Sequence, residues 1–166
     1  MQRRHAITGL GAALGLATLG GCGFALRGAP SFAFQRLALA GFAPGSPIQE
    51  SLTRQLSRLP LTLTDRAQAQ VVLECLNERH TKIAVVSTSA GQVREWQLQL
   101  SLDYRLTTPG DELLLPRTEL RLTRDLTTTE AVALAKEREE ADLRRAMQQD
   151  AVALLMRRLA AVKPQV

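Results

Sequence analysis

Trp96, Leu98, Leu100, Leu102, Tyr104 and Leu106 stand at alternate positions, with Gln97, Gln99, Ser101, Asp103 and Arg105 between them. A period of two over that length predicts a strand with one buried and one wet face. Thr108-Pro109-Gly110-Asp111 follows, with Pro at i+1 and Gly at i+2 as a type II turn requires. Leu113 to Asp125 then returns as a second strand, with Leu120 and Leu122 alternating against Glu119, Arg121 and Thr123. Upstream, Gln35 to Gly41 alternates as a first strand, and Ala69 to about Val86 reads as another, polar in its middle at Arg79-His80-Thr81-Lys82. Thr88-Ser89-Ala90-Gly91 signals the turn between that strand and the one carrying Trp96.

Two stretches carry a helical period instead. Ser46-Pro47-Ile48-Gln49 offers a Ser N-cap, Pro at N1 and Gln at N3. Ile48, Leu52, Leu56 and Leu59 then form one apolar stripe, and Pro60 ends the helix. Leu61 and Leu63 suggest a short edge segment. From Glu130 to Val162 a longer helix is expected, with Leu143, Met147, Ala151, Leu154, Leu155, Leu159 and Val162 on its apolar side. Its acidic residues lead and its arginines trail, as the helix dipole favours. The order β-α-β-β-β-α predicts an α+β fold: a four-stranded, mainly antiparallel sheet with two helices packed on one face.

The first residues belong to a different pattern. Met1 to His5 is a short basic head, Ala6 to Gly20 is uncharged and apolar or small, and Leu19-Gly20-Gly21-Cys22 closes the run. A basic n-region, a short apolar h-region and small residues at the cut describe an export signal. The ending has the form of a bacterial lipobox, in which the Cys22 thiolate takes the diacylglyceryl group. Arg3-Arg4 leaves twin-arginine export open beside the general route. The expected division is residues 1–21 as signal peptide, 22–34 as a lipidated tether and 35–166 as one α+β domain.

Charge and cysteines change the picture little. The whole chain has 21 Lys and Arg against 16 Asp and Glu, a net +5; with Arg3 and Arg4 gone it has 19 against 16, about +3. The cations are dispersed, and the few aromatics offer no stacking platform, which argues against nucleic acid. With Cys22 lipidated, Cys75 alone remains, so no internal disulfide forms, and its apolar run makes it a buried strand residue. His80 is the one histidine after the leader, and no HExxH, paired CxxC or phosphate-loop motif occurs. No catalytic group, metal or cofactor is therefore expected.

The run Cys22-Gly23-Phe24-Ala25-Leu26-Arg27-Gly28 resembles the C-G-[FWY]-x-L-R-[GD] start of the LptE family of LPS-assembly lipoproteins. Gly91-Gln92 with Glu95-Trp96-Gln97 is similar to that family's turn into a strand, and Ala133 to Glu137, Met147 and Arg157-Arg158-Leu159 to its last helix. The resemblance implies an outer-membrane lipoprotein, anchored through Cys22 on the periplasmic side, that plugs the β-barrel LptD, supports its assembly and binds LPS. It places LPS contacts at the start of the last helix, where Lys136 stands, and at the tip between the middle strands. At the tip Ser89 occupies the position of an expected cation, with Arg94 and Lys82 as substitutes. Gly23 after the Cys agrees with sorting to the outer membrane. The alternative reading is a free-standing envelope lipoprotein that binds peptidoglycan or another complex.

Overall fold

The computed structural model describes residues 30–87, 89, 91, 93–127 and 133–164, so the leader, Cys22 and the tether up to residue 29 lie outside the described residues. Strand β1 spans Arg36–Ala40, helix α1 Pro47–Leu56, β2 Thr62–Leu63, β3 Val71–Ser87, β4 Val93–Thr107, β5 Leu113–Thr127 and helix α2 Ala133–Ala161. Residues 130–132, where the second helix was expected to begin, are outside the described set.

The α+β class holds, but the sheet has five strands in the order β2-β1-β3-β4-β5, not four. The segment at Leu61 to Leu63 is a true edge strand: Thr62 N–H donates to Gln35 O at 2.8 Å and Thr64 N–H to Leu37 O at 3.0 Å. The sheet is also mixed, because β1 runs parallel to both β2 and β3. A crossover over the sheet restarts the chain in the direction it began: α1 makes β2 parallel to β1, and the connection through the 3-10 turn Arg66–Gln68 makes β3 parallel to both. The long ladders β3–β4 and β4–β5 are antiparallel, as the hairpin pattern requires.

Ser46 caps α1 through Oγ, which accepts the Gln49 backbone N–H at 3.0 Å. The helix stops at Leu56, four residues before Pro60, and Leu59 packs on the core from the following turn. In the 108–111 turn the left-handed residue is Asp111 at φ 65°, whereas Gly110 is not in that region. Asp111 N–H donates to Thr108 O, and Thr108 N–H to Glu112 O, so the loop closes as a turn followed by one left-handed residue instead of the expected type II turn.

Both helices bury their stripes on one sheet face. Leu37, Val71, Leu73, Leu98, Leu100, Leu102, Tyr104 and Leu106 meet Ile48, Leu52, Leu56, Met147, Ala151, Leu155 and Leu159 in one cluster. Phe34 joins it from the N-terminal side, with Phe32 beside it at a ring separation of 5.5 Å. The opposite face is bare over most of its length and mainly polar, with Ile83 exposed on it beside Gln97; near β1 the 3-10 turn Arg66–Gln68 helps cover Ala38 and Val72.

A bulge at Leu76 decides what the helix side of β3 carries. Cys75 pairs with Tyr104 but Asn77 pairs with Asp103, so two steps on β3 match one on β4. Before the bulge Val71, Leu73 and Cys75 face the helices; after it Glu78, His80, Lys82 and Ala84 do, opposite Leu102, Leu100, Leu98 and Trp96. Leu76 itself is left 42% exposed.

Candidate functional site

The polar half of the helix side begins at the N-cap of α1. Ser46 Oγ donates to Glu78 Oε2 at 2.6 Å, and His80 Nε2 donates to Glu78 Oε1 at 2.9 Å. Burial opposes the Glu78 charge, but the hydrogen bonds from His80 and Ser46 outweigh it and hold the carboxyl below its ordinary pKa. Cys75 sits one strand step before the bulge, and its burial, with the Glu78 charge next, pushes the thiol up to about 11. Such a thiol is protonated at neutral pH and inert.

Further along β3, Lys82 lies beneath the first turns of α2. Its Nζ donates to Glu140 Oε2 at 2.6 Å and stands 4.8 Å from the centre of the Trp96 ring. Trp96 is in place because Ala84 pairs with it across the ladder, on the face that Lys82 shares. Glu140 also accepts from Arg144 Nε at 2.9 Å and Nη2 at 2.8 Å, both on Oε1. The hydrogen bond from Lys82, with Arg144 adding to it, keeps the Glu140 carboxyl below its ordinary pKa despite partial burial. About a third of the Lys82 side chain and 30% of that of Arg144 remain open to solvent.

Lys136 is half-buried in the first turn of α2, one turn before Glu140 and therefore on the same helix face. Arg94 is exposed in a bulge between the pairs Val86–Glu95 and Ser87–Val93, at the turn end of the β3–β4 hairpin. Ser89 is exposed in the turn beyond it. Of the sequence candidates, Lys82 bonds Glu140 and Lys136 stands one turn away on the same helix face, while Arg94 stands at the same end of the sheet. Glu140 and Arg144 are not legible as site residues from the sequence. Their spacing of four along one helix face signals that they pair, but nothing local in the sequence links either to Lys82, 58 residues away from Glu140.

No group of three or more His, Cys, Asp or Glu side chains placed to hold a metal ion occurs among the described residues. No helix among them is long and apolar enough to cross a membrane. The bare sheet face carries Arg79, Ser101, Asp103, Arg117, Glu119 and Arg121, and Arg117 Nη2 donates to Asp103 Oδ2 at 2.7 Å.

A family model described as LptE, lipopolysaccharide-assembly, matches residues 34–159. The LPS-assembly lipoprotein LptE of Pectobacterium atrosepticum is 30% identical over 152 residues, which cover 88% of this chain and 82% of the relative. The protein of that name from Yersinia pestis is 29% identical over 163 residues, 96% of this chain and 78% of its own. Among solved structures, lipoprotein B of Nitrosomonas europaea aligns with a TM-score of 0.71 at 30% identity, covering 84% of this chain and 91% of that one. The rare lipoprotein B of Shewanella oneidensis shares the fold, with a TM-score of 0.64 at 20% identity over 76% of this chain and 95% of its own.

Proposed function

The chain belongs to the LptE family of lipopolysaccharide-assembly lipoproteins, and from that membership we propose that it is a non-catalytic outer-membrane component that plugs an LptD-type barrel and binds LPS. The observation that carries the ligand half is the convergence of Lys82 and Arg144 on the Glu140 carboxylate at the hairpin end of the sheet, with Lys136 one helical turn away on the same face. Three cations around one anion leave a net positive surface, and charge-assisted hydrogen bonds from such groups suit the phosphates of lipid A. Arg94 extends the positive character toward the hairpin tip. A proposed lipid anchor on Cys22 would hold the molecule at the other end, because Pro30 lies against the C-terminal parts of α1 and α2.

The barrel half is supported by the bare, polar face of β3, β4 and β5, which has the character of a surface meeting a polar lumen and not lipid. Lys136→Glu is expected to weaken binding of purified LPS about tenfold, with retention of the chain on an affinity-tagged barrel unchanged. Unchanged LPS binding would remove Lys136 from the site. A mature lipoprotein that migrates alone in mild detergent, and whose depletion leaves surface LPS normal, would overturn the plug.

A further inference from the structure

The cations of the proposed LPS site are not idle. Lys82 Nζ and both Nε and Nη2 of Arg144 already donate to the carboxylate of Glu140, at 2.6, 2.9 and 2.8 Å. A carboxylate that accepts from a lysine and from one arginine edge offers the donors what a phosphate oxygen pair would offer. The ammonium is also pinned from a second side by the Trp96 ring, 4.8 Å away, so Lys82 cannot turn to an incoming anion while keeping both partners.

We propose that Glu140 is an internal surrogate for the ligand phosphate: LPS binds by exchange, its phosphate replacing the Glu140 carboxylate on Lys82 and Arg144. This rests on the reading of that surface as the LPS site and adds a gate to it. The exchange sets a threshold, because a ligand with one weakly charged group recovers less than the two cations already have. A phosphorylated lipid that reaches Lys82, Arg144 and Lys136 together recovers more. Binding also unties α2 from β3, since Lys82–Glu140 is the ion pair that joins the first half of α2 to that strand among the described residues.

Trp96 is the single tryptophan of the chain, so its emission reads the position of the Lys82 ammonium directly. The full-length lipoprotein in detergent would be titrated with purified LPS and with the same LPS after enzymatic dephosphorylation. Glu140→Gln, which frees both cations while keeping size and shape, is expected to bind phosphorylated LPS about tenfold tighter than the parent. Its Trp96 emission should differ from that of the parent before ligand is added and match it once both are saturated. Dephosphorylated LPS should show no gain. In a Lys82→Gln background Glu140→Gln should recover at most a small part of that gain. Equal LPS affinities for the parent and Glu140→Gln would overturn the exchange while leaving the LPS site standing. Binding that survives in the Lys82→Gln, Lys136→Gln double variant would instead overturn the location of the site, and the exchange with it.

Discussion

Single carboxylates set the chemistry of this surface, and Glu78 shows how. Its folded pKa is held below the ordinary value by donors from Ser46 and His80. A depressed acid stabilises the folded state fully above its unfolded pKa, and that contribution is lost as pH falls through the folded value. Glu140 has the same sign. Stability is therefore expected to decline as the pH is lowered from about 5 towards 3. Glu78→Gln should flatten that decline, since an amide has no proton to take up, while lowering stability at pH 7. Urea midpoints measured along a pH series check this; parallel pH profiles for the parent and the variant would contradict it. Cys75 is the contrasting residue: a raised pKa and 5% exposure leave a thiol that packs as a small apolar group.

At the scale of elements, the Leu76 bulge selects which residues reach the site. If β3 were regular, Asn77, Arg79 and Thr81 would face the helices, and Glu78, His80 and Lys82 would point away from Ser46 and Glu140. Deleting Leu76 should remove only the extra residue, because Asn77 then follows Cys75 into the place it already holds opposite Asp103. That variant is expected to stay within about 1 kcal/mol of the parent. Deleting Thr81 from the same strand leaves Lys82 in register only if Glu78 and His80 turn outward. It should cost about 2 kcal/mol or more through lost hydrogen bonds to a part-buried carboxylate. Comparable losses for both deletions, read by denaturant unfolding, would show that the bulge does not set the register.

The bulge also marks where the sequence stops being legible. Alternation in β4 is unbroken from Trp96 to Leu106, and the Ser46-Pro47 start of α1 is written in local chemistry, so both could be read directly. In β3 the alternation changes phase at Leu76, and a single chain does not say which residue is extra. The fifth strand is legible only as a short edge segment at Leu61 and Leu63, because two residues have no periodicity that would add them to the sheet; it exists through hydrogen bonds to Gln35 and Leu37 that only the folded chain assembles. Lys82 and Lys136 could be named from the chain as candidates, but the meeting of Lys82 with Glu140 could not, because it depends on β3 and α2 crossing at one place.

For the whole molecule the decisive feature is polarity from end to end. Strand β3 runs 17 residues, roughly 55 Å at about 3.3 Å per residue, and places the hairpin tip far from the N-terminal side where Phe32 and Phe34 enter the core. One face of the sheet is occupied by both helices, so a large partner has the other face, with Ser101 near its middle among Arg79, Arg117 and Arg121. Ser101 is half-exposed and its neighbours are all polar, so a tryptophan there fills open space on a strand that favours aromatics. Ser101→Trp is expected to leave folding stability within about 0.5 kcal/mol of the parent. It should leave LPS binding unchanged too, because the site at Glu140 is on the opposite side of the sheet. If this face lies against a barrel wall, the added ring must displace the wall or the plug, and co-isolation with the barrel should fall about tenfold. Full retention of Ser101→Trp on the barrel would mean that the partner grips the molecule by its helices or its edges, and that the bare face looks into water.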